Sequence, residues 1–208
     1  MSDSKQMLEL SVTEFTAATA AKQPTPGGGS VAGLVGALAT GLGEMALNFT
    51  IGKKKYAEFA EQHSHLSGRL EKARGMFLDL VADDITAYSM YGEATKLPDG
   101  AEKDAALELA LAAAINVPRE MAKLCLAVMQ DIKILTTCSN RFLVSDLVAG
   151  AALASATTVL CDMNVRINAR NLSDKTVAKE ICEASTKDRN TAAALALEVE
   201  NAVKEYLD

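Results

Sequence analysis

The sequence has no Trp, and aromatic residues make up only 4% of it although 49% of its residues are hydrophobic. Its apolar content is therefore Ala, Leu, Val and Met, which suits closely packed helices better than a β-sandwich. No segment alternates as a half-buried strand does. Positive charge is also short, with 21 Lys and Arg against 27 Asp and Glu and a net charge of −6. That excludes the basic footprint needed to bind nucleic acid or an anionic membrane surface. Histidine is nearly missing. His63 and His65 stand two residues apart, diverge on a helix and cannot clasp one metal ion; both are expected to face solvent. The four cysteines, Cys125, Cys138, Cys161 and Cys182, lack CxxC spacing, and the chain opens without a secretory apolar run. Buried, reduced thiols in a cytoplasmic protein are expected, with no zinc.

The 208 residues are expected to form one domain, 1–208, with a substantial core. Its most distinctive stretch is Pro24-Thr25-Pro26-Gly27-Gly28-Gly29-Ser30, followed by a small-residue apolar run to about Ile51. Prolines and glycines end whatever precedes them, and Ser30 can help to start a helix. Alone, the stretch reads equally as a flexible linker or as a loop whose bare N–H groups meet a ligand.

Six helices are predicted. The first runs from a capping box at Ser11-Val12-Thr13-Glu14 to Ala21, held to the body by Leu8 and Phe15. The second runs from Gly28 to Ile51. On it Thr40, Glu44 and Asn48 lie four apart, forming either a hydrogen-bonded seam or a pocket wall. Those polar groups and the diluting glycines argue against a membrane span. Lys53-Lys54-Lys55-Tyr56 follows, a solvated turn or a grip for an anionic tail. The third helix, from Ala57 to Thr95, has an apolar stripe through Leu66, Leu70, Phe77, Leu80, Val81, Ile85 and Tyr88. Asp84 lies on or beside that stripe, while Asp83 is rotated about 100° away from it. A carboxylate there serves proton transfer or pairs with an Arg or Lys. The fourth helix, from Ala101 to Asp131, is expected to kink or split at Pro118. Asn140 and Ser145 are placed to cap, the fifth helix runs from Ser145 to Ala169, and the sixth closes the chain from Lys175 to Leu207. The fold class is all-α, an antiparallel bundle of about six helices. Its excess of small-residue faces favours a homodimer.

Three blocks, taken together, are similar to a known family. They are Pro24 to Ser30; Asp84-Ile85-Thr86-Ala87-Tyr88 leading to Leu97-Pro98; and Asn140 to Ser145-Asp146 leading to Asn164-Val165-Arg166-Ile167-Asn168. In order and spacing they resemble the formiminotetrahydrofolate cyclodeaminase and methenyltetrahydrofolate cyclohydrolase family, and the resemblance covers nearly the whole chain. Ile51-Gly52-Lys53-Lys54-Lys55-Tyr56 looks most like its free-standing bacterial cyclohydrolases. The resemblance implies an all-helical dimer that handles one-carbon units on tetrahydrofolate without a metal or redox cofactor. The implied activity is hydrolysis of methenyltetrahydrofolate to 10-formyltetrahydrofolate. Ammonia release by cyclodeamination is one alternative, and a non-catalytic folate-binding or assembly role is another.

The resemblance places the catalytic acid and base at Asp84. It implies substrate contacts from Pro26, Gly27, Gly28, Gly29 and Ser30 and from Asn140, Ser145, Asp146, Asn164 and Asn168, while Glu44 and Asn48 of the polar stripe, with Tyr88, are the further candidates for the pocket. The Gly-rich backbone with Lys53, Lys54 and Lys55 would hold the glutamate tail. Ala82 stands where some relatives carry a first carboxylate, and Phe142 replaces a small polar residue, which bears on the hydrogen-bond network and on reaction preference.

Overall fold

The computed structural model describes residues 7–207. Six α-helices lie within them, and no strand is present among the described residues. They are α1 (Val12–Ala20), α2 (Gly28–Asn48), α3 (Ala60–Lys96), α4 (Ala101–Cys138), α5 (Val144–Ala169) and α6 (Lys175–Leu207). Short 3-10 turns at Lys54–Phe59 and Arg141–Leu143 lead into α3 and α5. From α2 onward each helix packs against the next, as in an antiparallel bundle. α2 packs between α3 and α5, α4 touches α3, α5 and α6, and α6 closes the side formed by α4 and α5.

Close packing along α2 follows from its small residues. A Cβ added to Gly36 would sit 2.5 Å from the Phe77 ring, and one added to Gly33 would sit 2.5 Å from Val81 Cγ2. Phe77, Val81 and Leu70 are thus buried directly against the α2 backbone. Gly36→Ala is expected to lower stability by about 1–2 kcal/mol, because overpacking outweighs the gain in helix propensity. Gly68→Ala, on an exposed stretch of α3 with nothing within 4 Å, should raise it by about 1 kcal/mol. Urea unfolding of the two variants checks both signs.

Several expectations change. The Ser11 capping box forms, with Glu14 Oε2 accepting from the Ser11 N–H at 2.8 Å. Yet α1 buries no residue: Leu8 is exposed and Phe15 only half-buried, so neither fixes it in the core. α2 is capped at Gly27 and ends at Asn48, and α3 starts at Ala60. α4 passes through Pro118 without splitting and continues to Cys138. Ser145 does not cap α5; it is exposed in the first turn, and Leu143 takes the cap position. Cys125, Cys138 and Cys161 are buried, whereas Cys182 is partly exposed.

His63 is the clearest correction. It is buried, with Nε2 2.8 Å from the Cys138 carbonyl oxygen. Three residues before Leu66, it begins the same stripe that continues through Leu70, Ala73 and Phe77, so the helix turns it inward. His65 faces solvent as expected. By length and mean hydropathy α2 and the segment Arg141–Ala169 could each cross a membrane; here both are packed in the bundle, and they carry the ion-paired Glu44 and Asp162.

Candidate functional site

The start of α2 meets the middle of α3 and the end of α5 at one end of the bundle. Gly27 caps α2 in an extended conformation, so Gly28, Gly29 and Ser30 form the first helical turn. Ser30 is fully buried, and its hydroxyl donates to Asp84 Oδ2 at 2.9 Å. Helix initiation therefore belongs to Gly27, and the Ser30 side chain is turned to the acid instead. Gly29 lies so close that a Cβ there would be 2.0 Å from Asp84 Oδ1. The carboxyl group occupies the space that any side chain at position 29 would need.

Burial raises the Asp84 pKa above the ordinary carboxylate value, and the Ser30 hydrogen bonds only partly oppose this. No Arg or Lys pairs with it among the described residues. The ion-pair alternative for this residue is therefore not what the structure displays. Nearby, Cys161 is pushed up to about 12 by burial and by the Asp84 charge, which leaves it a neutral thiol. Cys125 is raised as well, first by burial. A single half-buried carboxyl group, its pKa raised by burial and without a cationic partner among the described residues, thus stands at this end beside the Gly-rich turn.

Asn164 faces the Gly-rich turn: its amide nitrogen would be 3.6 Å from a Cβ on Gly28. It donates to the Leu160 carbonyl, which leaves its amide oxygen for other partners. Asn168 is half-buried and donates to the Ala114 carbonyl of α4, anchoring α5 to α4. Tyr88, one turn beyond Asp84, is exposed. Pro26 is buried beside the turn.

The remaining predicted residues lie elsewhere. Thr40 donates to its own helix at Gly36, Glu44 accepts from Arg74 Nε at 2.8 Å, and Asn48 is exposed. The stripe is thus neither one seam nor one wall. From Gly28 to Asn48 the axis of α2 spans about 30 Å. Lys53, Lys54 and Lys55, all exposed, follow at that far end. Asn140 belongs there too: its N–H donates to Thr50 Oγ1 at 2.8 Å, and its side chain caps the turn at Phe142. Ser145 and the half-buried Asp146 open α5 beside it. Within one chain the predicted site residues therefore divide into two clusters at opposite ends of the bundle.

A feature missed by sequence reasoning is the group around Asp162, fully buried on α5, which contacts Arg166 Nε at 3.1 Å and Arg189 Nη1 at 3.4 Å. The i,i+4 spacing of Asp162 and Arg166 was a readable signal; Arg189, on another helix, was not.

The solved crystal structure of a formiminotetrahydrofolate cyclodeaminase from Thermotoga maritima is similar at a TM-score of 0.87 and 29% identity, covering 97% of this chain and 99% of that one. A methenyltetrahydrofolate cyclohydrolase from Methylorubrum extorquens is 32% identical over 176 residues, 81% of this chain and 84% of that protein. The formimidoyltransferase-cyclodeaminase of Gallus gallus is 26% identical over 89% of this chain, which spans only 35% of its length. The sequence model of the formiminotransferase-cyclodeaminase family matches residues 11–187, and the chain belongs to that family.

Proposed function

We propose that the protein is a methenyltetrahydrofolate cyclohydrolase. The observation that carries this reading is the half-buried Asp84 carboxyl, held by Ser30 against Gly29, in a chain matching most of a cyclohydrolase's length. In the substrate the carbon between two nitrogens is already a cationic amidinium. Water attacks that carbon, and Asp84 takes one of its protons. As the tetrahedral intermediate opens, the bond to one ring nitrogen breaks and Asp84 returns the proton to that nitrogen. The remaining hydroxyl proton leaves to solvent as the formyl carbonyl forms. The negative charge of Asp84 also favours the cationic ground state and the approach of the ring. Asn164 orients the pterin or the water.

The chromophore of methenyltetrahydrofolate is lost on hydrolysis, so absorbance decay above the spontaneous rate tests the reading. Ammonia release from formiminotetrahydrofolate without that decay would favour cyclodeamination. Thermal stabilisation by folate with neither reaction would favour a binding role.

A homodimer joins the two clusters. The outward face of α2 carries Leu34, Leu38, Leu42, Met45 and Phe49, with Leu38 56% and Phe49 57% exposed. Such a continuous apolar stripe suits a second copy. A two-fold axis near Leu38 sets two α2 helices antiparallel, bringing the end of one to the start of the other. The partner subunit's Asn48, Lys53, Lys54, Lys55 and Asn140 then approach the Gly28–Asp84 end. An equal mixture of Asp84→Asn chains and chains carrying Gln at all three lysines should reach about one quarter of wild-type activity, since half of the dimers are mixed and each mixed dimer has one of its two sites intact. No recovery in proven mixed dimers would place the lysines outside the site.

A further inference from the structure

The last turns of α5 carry charge for which the reaction above has no use. Asp162 is fully buried and accepts from Arg166 Nε at 3.1 Å through each oxygen. A buried carboxylate is costly unless paired, and here the pairing holds a guanidinium against α6, where Arg166 Nη2 also meets Thr186 Oγ1. Arg166 is thereby fixed on the wall of a cleft of about 590 Å³, together with Gly28, Asn164, Ile167 and Arg170. Arg170 follows at i+4, is exposed, and has no ion pair among the described residues. No acidic side chain lines this cleft. Gly28 and Asn164 belong both to its wall and to the Asp84 end, so the two spaces adjoin.

We infer that Arg170 and Arg166 form the subsite for the carboxylates of the substrate's glutamyl portion, with Asp162 as the positioning residue for Arg166. The inference rests on the folate reading above and adds to it a place for the anionic end. The substrate is cationic at its reacting carbon and anionic one aromatic ring and one amide away. The cleft has the complementary order, a carboxylate beside Gly29 and guanidinium groups farther along α5. From Asn164 to Arg170 the helix rises about 9 Å, a separation on the scale of that linker. Guanidinium groups bind carboxylates through paired charge-assisted hydrogen bonds, which an exposed Lys turn provides less well.

The test compares methenyltetrahydrofolate with methenyltetrahydropteroate, which keeps the reacting carbon and lacks both carboxylates. Arg170→Gln should raise KM for the folate by about ten- to a hundredfold with kcat retained. Its KM for the pteroate compound should stay at the wild-type value, so the preference for the folate collapses. Asp162→Asn should shift KM in the same direction, and Arg166→Lys, which keeps the charge without the fork, should give a smaller shift. Equal effects on both compounds, or no effect of Arg170→Gln, would overturn the subsite. So would loss of the preference only in chains carrying Gln at Lys53, Lys54 and Lys55. Absence of turnover by the wild-type protein with either compound would overturn the cyclohydrolase reading on which the subsite rests.

Discussion

Replacing Asp84 with Asn is expected to lower turnover of methenyltetrahydrofolate by about 100- to 10,000-fold, the usual contribution of a positioned general acid and base. The amide keeps the shape and can still accept from the Ser30 hydroxyl, so the Gly-rich turn should stay in place. Stability should move the opposite way to activity. Burial raises the Asp84 pKa in the folded chain, so the neutral acid is the form that folding favours. That contribution is present at low pH and is lost as pH rises through the raised value. Above that raised value the wild-type protein therefore carries a half-buried charge that the Asn variant lacks. There the variant's melting temperature should equal or exceed wild type, with the gap closing as pH falls through the raised value. Thermal melts across pH, beside the absorbance assay, read both effects. Full activity would remove Asp84 from the chemistry; inactivity with a clearly lowered melting temperature at neutral pH would make its role structural.

The helices were legible because their apolar residues repeat at three and four residues, and the stripe through Leu66, Phe77 and Ile85 placed Asp84 correctly on the inward side of α3. His63 belonged to that same stripe, but a polar residue at its start reads as solvent-facing until the Cys138 carbonyl that receives it is known. That partner lies 75 residues away, at the end of a helix whose length was underestimated. At Pro118 the split that was one of the two expected outcomes does not occur: a proline costs a helix one internal hydrogen bond, and Pro118 and Met121 are buried where α4 runs on across it. The division of the candidate site was not readable. Motif order along a sequence says nothing of which end of an antiparallel bundle each motif reaches, and Lys53 and Gly28 are separated by the whole of α2. The buried Asp162 group was hidden because one of its two arginines comes from α6.

Gly29→Ala is expected to cost about 100-fold or more in kcat, because displacing a catalytic group by an ångström is enough for such a loss. Its Cβ would sit 2.0 Å from Asp84 Oδ1, 2.5 Å from Cγ and 2.7 Å from Oδ2, so the whole carboxyl head must leave its place. That movement also breaks the Ser30 contact, worth about 1 kcal/mol, while Ala in the first helical turn gains roughly as much in propensity. Folding stability should therefore hardly change. The outcome separates this glycine from Gly36, where the obstacle is the fixed ring of Phe77 and the cost falls on stability instead. It also separates it from its own neighbour. A Cβ on Gly28 would lie 3.6 Å from the Asn164 amide, an ordinary contact, so Gly28→Ala should retain far more kcat than Gly29→Ala. If Gly29→Ala kept wild-type kcat, the carboxyl could act from a second position and the tight approach would have no catalytic meaning. If both variants failed alike, the turn would matter as flexible backbone. Loss at Gly29 alone assigns the three glycines different work: Gly27 ends the preceding chain in extended form, Gly28 borders the cleft, and Gly29 makes room for the acid.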